Sequence, residues 1–298
     1  MKRIRYAAGF AAIFCLFTIV QAWSDGLPYE QRQDLVYGEA HGTGLLMDVF
    51  VPTGTKNGIG IIDVASGAWS SDRGKIRDHK MARMYDIFCG KGYTVFAIRP
   101  GSRTKYTANE MVANVNTGIR YVKAHAEEYG VEAERLGIIG ASAGAHLASL
   151  AVVRAEDANP DAKDKLKRDS THVAAVGIFF PPTNFLEWGE GRPIFQRIGD
   201  VLFSGGIDGR SEEEIEAMAR EISPALNIKG KTPPFIIWHG DADPLVPLQQ
   251  SEFFVEQLKA AGTDVELHIK EGGAHPWMTI PEEVEHISEW FDRQFASN

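Results

Sequence analysis

The sequence is poor in cysteine and has no excess of basic charge. Only two of its 298 residues are cysteines, Cys15 and Cys89, which excludes a small fold held together by many disulfides. Lys and Arg number 31 against 40 Asp and Glu, a formal net charge of -9 at pH 7. Because an acidic chain without a basic stripe repels a phosphate backbone, nucleic-acid binding is disfavoured. The composition, 44% hydrophobic, is that of a globular protein stabilised by its core.

The sequence also lacks an apolar run long enough to span a membrane. The apolar run at residues 6–20 is shorter than the roughly 20 residues that a spanning helix needs, and three basic residues precede it. The small residues Val20 and Ala22 then form a small-x-small cleavage pattern. This order is typical of a secretory signal peptide, with an uncleaved membrane anchor as the alternative. We therefore predict a signal peptide at residues 1–22, a secreted or periplasmic protein, and no stable membrane insertion.

Removal of residues 1–22 would leave Cys89 as the only thiol, and a single thiol forms no internal disulfide. Its apolar surroundings predict a small buried side chain near a helix end. No glycine-flanked turn surrounds it, so the sequence does not favour it as a nucleophile.

Short β-rich segments alternate with segments of helical periodicity. The predicted strands are 45–51, 58–64, 93–98, 136–140, 173–179, 234–238 and 265–269. The predicted helices are 109–129, 143–154, 248–261 and 281–295. Strands separated by helices predict an α/β fold with a mostly parallel sheet covered on both faces. We expect one domain over residues 23–298, with a lid insertion at about 183–226, where an acidic helix but no strand is predicted.

A serine stands between two glycines where a predicted strand meets a predicted helix. Residues 140–144 read GASAG, the nucleophile-elbow pattern G-x-S-x-G. A sharp turn strains the backbone of such a serine, and glycines at the flanking positions let strand and helix approach closely. The alternative, a phosphate-binding turn, lacks the Gly-x-Gly-x-x-Gly spacing and a Lys-Ser or Lys-Thr pair. Ser142 is therefore the candidate nucleophile.

A serine hydroxyl needs a base to take its proton and a carboxylate to orient that base. Residues 239–247, HGDADPLVP, follow a predicted strand and contain Asp241 and Asp243. Residues 271–277, EGGAHPW, follow the next predicted strand and contain His275. The order Ser, Asp, His, each just past the carboxyl end of a strand, is expected of an α/β-hydrolase.

These segments resemble those of a known family. Residues 136–149, 233–247 and 272–277 are similar to secreted bacterial α/β-hydrolase-fold esterases of the BD-FAE type, related to hormone-sensitive lipases and to feruloyl and acetyl esterases. The resemblance spans about residues 40–296. It implies a Ser142, His275 and Asp243 triad, with Asp241 structuring the loop.

The resemblance also implies an oxyanion hole, although the match is imperfect there. Such esterases usually carry His-Gly-Gly-Gly after the third strand, whereas residues 65–69 read ASGAW. Because the donors are backbone N–H groups, the hole can survive these changes. We expect the amides of Gly67, Ala68 and Ala143 to form it, the alternative being an ordinary loop.

Several other side chains have both a functional and a structural interpretation. Trp69 and Trp277 are candidate substrate-binding residues, with Phe180 and Trp188 near them, although aromatic loop residues often only pack. Arg99 and Arg103 could bind an anionic substrate group or form ion pairs.

The remaining histidines are interpreted structurally. His146 and His239 are expected to pack beside the site, since His275 fills the role of base. No His and carboxylate pattern at ligand spacing indicates a metal, and we predict neither metal nor cofactor.

The predicted function is that of a serine carboxylic-ester hydrolase acting on a small-molecule or carbohydrate ester, including acetylated or feruloylated polysaccharides. The alternatives are a serine peptidase like the prolyl oligopeptidases and a non-catalytic binding protein of the same fold. The former usually carry a large additional domain that this chain is too short to hold. The sequence predicts no oligomeric state.

Overall fold

The structure, a computed structural model, describes residues 26–189 and 194–296. The predicted signal peptide, residues 1–22, lies outside them. No helix within the described part of the chain combines the length and the apolar character needed to cross a membrane.

A single twisted sheet organises the described residues. Its strands are β1 (Tyr29–Ala40), β2 (Thr43–Pro52), β3 (Gly60–Val64), β4 (Thr94–Arg99), β5 (Leu136–Ala141), β6 (Ala175–Phe179), β7 (Phe235–Gly240) and β8 (Val265–Lys270). Their order across the sheet is β1-β2-β4-β3-β5-β6-β7-β8. β2 runs antiparallel to both β1 and β4, and every other neighbouring pair is parallel.

Helices cover both faces of this sheet. They are α1 (Arg73–Met81), α2 (Met84–Gly90), α3 (Ala108–Ala124), α4 (Ala126–Tyr129), α5 (Ala143–Val153), α6 (Phe195–Leu202), α7 (Glu212–Glu221), α8 (Gln249–Ala260) and α9 (Ile280–Ala296). One apolar cluster joins the sheet to α3, α5 and α8, and a second joins it to α1, α2 and α9. The predicted mostly parallel sheet with helices on both faces is thus confirmed, and the topology is that of the α/β-hydrolase fold.

The structure adds elements that the hydrophobic pattern did not predict. β1 is polar along much of its length and its pairing with β2 is interrupted twice, so it shows no clear alternation. α1 and α2 are short, and Arg83 between them has a left-handed backbone with φ 57°. The predicted helix 109–129 is two helices, because the backbone of His125 leaves the helical conformation.

The segment predicted as a lid insertion contains no strand among its described residues. It carries α6, α7 and a 3-10 turn at Pro224–Leu226. Thr183 at its start is held by two hydrogen bonds to Gln250 of α8. Residues on this segment also line the cavity described below.

Parallel strands bring their carboxyl ends to the same edge of a sheet. Loops after β3, β5, β6, β7 and β8 meet at that edge in this fold. They carry the side chains that the sequence predicted to be functional.

Candidate active site

Ser142 occupies a sharp turn between β5 and α5. Its backbone is strained, with φ 54° and ψ -119°, and its N–H donates to the carbonyl of Phe179 at 3.0 Å. A Cβ on Gly140 would lie 2.6 Å from the carbonyl carbon of Gly144, and one on Gly144 would overlap the carbonyl oxygen of Val64. Both flanking glycines are therefore required sterically, as the elbow pattern predicted.

Three of the predicted residues meet at this turn. The Oγ atom of Ser142 lies 2.9 Å from Nε2 of His275, and Nδ1 of His275 lies 2.6 Å from Oδ2 of Asp243. An ionised carboxylate only accepts hydrogen bonds, so Nδ1 carries the proton. Nε2 is then the acceptor for the Ser142 hydroxyl, which is the arrangement that a general base needs.

The carboxylate of Asp243 is buried and surrounded by donors. Its Oδ1 accepts the N–H groups of Leu245 at 2.8 Å and Val246 at 2.9 Å. Burial alone would raise the pKa of Asp243, but His239, His275 and these two amides outweigh it and hold that pKa well below its usual range. Asp243 is therefore ionised at any pH at which the protein is expected to work.

Asp241, the other acid of this loop, does not contact His275. Its Oδ1 accepts the N–H of Gly272 at 2.7 Å. This bond connects the loop after β7, which carries Asp243 (the acid loop), to the loop after β8, which carries His275 (the histidine loop). The two loops also approach closely at Gly240, where a Cβ would overlap the carbonyl oxygen of Gly273. Asp241 thus has the loop-structuring position expected for it.

The loop after β3 forms a tight turn next to Ser142. Gly67 and Ser70 exchange two backbone hydrogen bonds, with N–O distances of 3.0 and 2.9 Å, and Ala68 and Trp69 between them both have positive φ, 48° and 55°. The turn is fastened to α5 because Gly144 N–H donates to the carbonyl of Ser66 at 3.1 Å.

The amides predicted for the oxyanion hole are not equivalent in this turn. The N–H of Gly67 donates to the carbonyl of Ser70. It is therefore already engaged in this structure, in contrast to the expectation that it would be a donor to the oxyanion. The amides of Ala68 and Ala143 donate to no acceptor within residues 26–189 and 194–296. The sequence could not distinguish these amides, because the turn type depends on φ at two non-glycine residues.

A cavity of about 860 Å³ opens beside Ser142 and His275. Its walls are mainly apolar and aromatic. They include Trp69, Met81, Met84, Phe179, Phe180, Trp188, Ile194, Ile198, Leu245, Val246, Trp277, Met278, Ile280 and Val284. Met81, Leu245 and Met278 are also among the exposed large apolar residues. The cavity is large enough for a drug-sized ligand.

Trp69 and Trp277 both line this cavity, but their indole N–H groups bond within the protein. Trp69 Nε1 donates to Nδ1 of His146 at 2.9 Å, and Trp277 Nε1 donates to Oε2 of Glu283 at 2.8 Å. Phe180 packs its ring 4.2 Å from that of His275, measured between centroids. The tryptophans can therefore offer ring surface to a ligand.

One wall of the cavity has charged groups that the sequence did not single out. Lys75, Asp78 and His79 line it from α1. Nδ1 of His79 lies 2.8 Å from Oδ2 of the buried Asp63. Burial alone would lower the pKa of His79, but the charge and hydrogen bond of Asp63 outweigh it and raise that pKa. The sequence did not predict that these residues line the site, because α1 is too short to show a clear helical pattern.

The remaining candidates have structural contacts. Nε2 of His239 bonds the carbonyl of Val246 at 2.8 Å and lies 3.6 Å from Asp243, so His239 packs beside the acid as predicted. Arg99 pairs with Asp34 and Asp48. Arg103 lines the cavity and lies 3.3 Å from Asp200.

No group of three or more His, Cys, Asp and Glu side chains in the described residues is arranged to hold a metal ion. The polar side chains that contact one another at the elbow are those of Ser142, His275 and Asp243.

The sequence matches the BD-FAE family over residues 47–258. Among relatives, it is 27% identical over 242 residues to a protein named "Probable carboxylic ester hydrolase LipM" from Mycobacterium tuberculosis, a match that covers 78% of this chain and 52% of the relative. The chain spans about half the length of such relatives.

Two solved structures are similar in fold. A truncated carbohydrate esterase from gut microbiota superimposes with a TM-score of 0.77 at 22% identity, covering 90% of this chain and 98% of that one. A thermophilic esterase of Thermogutta terrifontis with bound butyrate gives a TM-score of 0.67 at 22% identity, covering 89% and 94%. Both similarities concern the overall fold.

Proposed function

This chain belongs to the BD-FAE family, and on that premise we propose that it hydrolyses carboxylic esters through an acyl-enzyme formed on Ser142. The membership confirms the family resemblance noted in the sequence. The observation that carries the proposal is the continuous contact from Ser142 Oγ to His275 Nε2 and from His275 Nδ1 to Asp243.

In the first step Ser142 attacks the ester carbonyl while His275 Nε2 takes the hydroxyl proton. Asp243 remains ionised, keeps the proton on Nδ1 and balances the charge of the imidazolium. The carbonyl oxygen becomes an oxyanion, for which we assign the unengaged amides of Ala68 and Ala143. Collapse of the intermediate breaks the ester bond, and the proton on Nε2 passes to the departing alcohol.

In the second step water replaces the alcohol. His275 Nε2 takes a proton from the water, which attacks the acyl carbonyl, and the same two amides receive the second oxyanion. Collapse releases the carboxylic acid, and the proton returns to Ser142.

For the substrate we propose acyl esters on polysaccharides, acetylated or feruloylated. The similar carbohydrate esterase from gut microbiota supports a carbohydrate alcohol. A cavity of about 860 Å³ exceeds what an acetyl group fills, and its aromatic walls suit a feruloyl ring. Comparing release of ferulate and acetate from xylan with hydrolysis of p-nitrophenyl esters of increasing chain length tests this. A preference for long aliphatic acyl chains would contradict it.

Replacement of the nucleophile tests the reaction class. Ser142→Ala should fold but hydrolyse p-nitrophenyl acetate no faster than the background. Retained turnover would exclude Ser142. An inactive wild type would favour the non-catalytic binding protein, and cleavage of proline-containing peptides but not esters would favour the peptidase.

We also propose that residues 1–22 direct export. Expression of the full chain in a bacterial host, followed by N-terminal sequencing of the periplasmic and medium fractions, should give a chain that begins at Trp23. Recovery of the intact N-terminus in the cytoplasm would contradict export.

A further inference from the structure

A buried histidine connects the turn after β3 to the helix that follows the nucleophile. The indole N–H of Trp69 donates to Nδ1 of His146 at 2.9 Å, and Nε2 of His146 lies 2.8 Å from the carbonyl oxygen of Ile222. An indole only donates and a carbonyl only accepts. His146 is therefore neutral, with its proton on Nε2, and both ring nitrogens are satisfied.

The turn that Trp69 belongs to needs such an anchor. Ala68 and Trp69 both adopt positive φ, a conformation that is unfavourable for residues with a Cβ atom. Gly67 and Ser70 exchange two backbone hydrogen bonds across the turn, and the carbonyl of Trp69 accepts the N–H of Arg103 at 2.7 Å, but neither contact holds the Trp69 side chain. The bond to His146 fixes the Trp69 side chain and so disfavours relaxation of the turn.

His146 cannot contact a bound substrate. Its side chain is fully buried, and it is not among the residues that line the cavity. It lies one turn of α5 beyond Ser142, whose carbonyl accepts the N–H of His146 at 2.9 Å. The imidazole ring of His146 thus links helix α5, which follows Ser142, to the turn after β3. Through the carbonyl of Ile222 it also contacts the 183–226 segment.

We propose that His146 is a positioning residue that holds the Ala68 amide in place for the oxyanion by anchoring the indole of Trp69. The inference rests on the proposed ester hydrolysis at Ser142. Because the effect acts on the tetrahedral intermediate, loss of the anchor should reduce transition-state stabilisation and leave substrate binding nearly unchanged.

The test compares two substitutions at one buried position. His146→Leu removes both hydrogen bonds, whereas the side-chain amide of His146→Gln offers one acceptor and one donor. For p-nitrophenyl butyrate, His146→Leu should lower kcat by roughly 10- to 100-fold, less than complete loss of an oxyanion donor, with KM little changed. His146→Gln should recover much of that loss.

Trp290→Phe serves as the matched control for a lost buried indole bond. Trp290 is buried on α9, and its Nε1 donates to Oε1 of Glu266 at 2.9 Å, away from the turn. This substitution should lower the melting temperature but not kcat. Trp69→Phe, which removes the indole donor itself, should resemble His146→Leu, and the two changes combined should cost little more than either alone.

A second measurement, inhibition by a transition-state analogue, tests stabilisation of the oxyanion separately. A trifluoromethyl ketone forms a tetrahedral adduct with the serine, and the oxyanion of that adduct needs the same amides as the reaction. His146→Leu should weaken inhibition by the ketone by the same factor as kcat/KM, while the KM for p-nitrophenyl butyrate stays nearly unchanged. A raised KM with unchanged kcat, or a lowered kcat with unchanged inhibition by the ketone, would overturn the inference.

The outcomes separate this inference from the proposed function. A wild-type chain that hydrolyses no ester contradicts the proposed function and the inference together. An active wild type with unchanged kcat in His146→Leu contradicts only the inference. If His146→Leu does not fold, the inference is tested with Trp69→Phe and His146→Gln instead. Full activity in Trp69→Phe would then contradict the inference.

Discussion

The Oδ2 atom of Asp243 lies 2.6 Å from Nδ1 of His275, while Asp241, two residues earlier in the same loop, bonds the backbone of Gly272. The loop therefore separates two chemically identical side chains into different roles. One carboxylate faces the imidazole, and the other closes the contact between the acid and histidine loops.

Asp243→Asn should lower kcat by up to roughly 10⁴-fold with little loss of folding, because an amide that donates to Nδ1 favours the wrong imidazole tautomer. Steady-state hydrolysis of p-nitrophenyl acetate measures the effect. Asp241→Asn is the matched control, since its amide oxygen can still accept from Gly272, and it should retain most activity. Equal losses in the two variants would contradict the assignment of the acid.

Gly144→Ala tests the steric basis of the elbow. The added methyl would overlap the carbonyl oxygen of Val64, so the variant should lose roughly 1–3 kcal/mol of unfolding free energy from overpacking. Displacement of the helix should also reduce kcat/KM by at least about tenfold. Urea denaturation and steady-state kinetics measure both effects.

Gly90→Ala provides the control for that substitution. A Cβ at this exposed end of α2 would meet no atom within 4 Å, so its unfolding free energy should change by no more than about 0.5 kcal/mol. If Gly144→Ala were as stable and active as Gly90→Ala, the close approach of strand and helix would not be needed.

The stability of the protein should depend on pH through His146. Burial lowers its pKa to about 4, against an ordinary value of 6.5, although the bond to Ile222 partly opposes this. Between those two values the unfolded chain binds a proton that the folded protein does not. The unfolding free energy should therefore fall by about 3 kcal/mol from this residue as the pH drops from 7 to 4.

Urea denaturation at several pH values, compared between wild type and His146→Gln, isolates that contribution because glutamine does not titrate. The aromatic contacts of His146, Trp69 and Phe185, carry no charge. The wild type should lose more stability between pH 7 and pH 4 than the variant. Parallel pH profiles would show that His146 is protonated equally in both states.

Cys89 should not react in the folded protein. It is buried, its thiol donates to the carbonyl of Phe50 at 3.6 Å, and burial, with the charge of Asp86, raises its pKa to about 12. At pH 8 a chain without residues 1–22 should react with iodoacetamide at least roughly 10³-fold more slowly than a free thiol. In denaturant it should incorporate one equivalent, and rapid labelling of the native protein would contradict the burial.

Strand positions and the elbow were predictable because their causes are local. Buried strands such as β5 are short apolar runs. The glycines at positions 140 and 144, which the sharp turn requires, are recognised directly in the sequence. The order of Ser142, Asp243 and His275 along the chain then placed all three at one edge of the sheet.

Other features depend on tertiary contacts that no local pattern records. β1 is polar, and its pairing with β2 defines it as a strand. The hydrogen bond from the Gly67 N–H to Ser70 depends on a turn in which Ala68 and Trp69 have positive φ, and non-glycine residues give no sequence signal for such a turn. The link from Trp69 to His146 joins residues 77 positions apart, and the charged wall at His79 depends on the short helix α1.

The central claim is that Ser142 forms the covalent intermediate, and mass spectrometry after inactivation by diisopropyl fluorophosphate tests it most directly. The wild type should gain one adduct, mapped to Ser142, with activity lost in proportion to labelling, while folded Ser142→Ala gains none. Full hydrolytic activity after complete labelling of Ser142, or inactivation by an adduct at another residue, would contradict the claim.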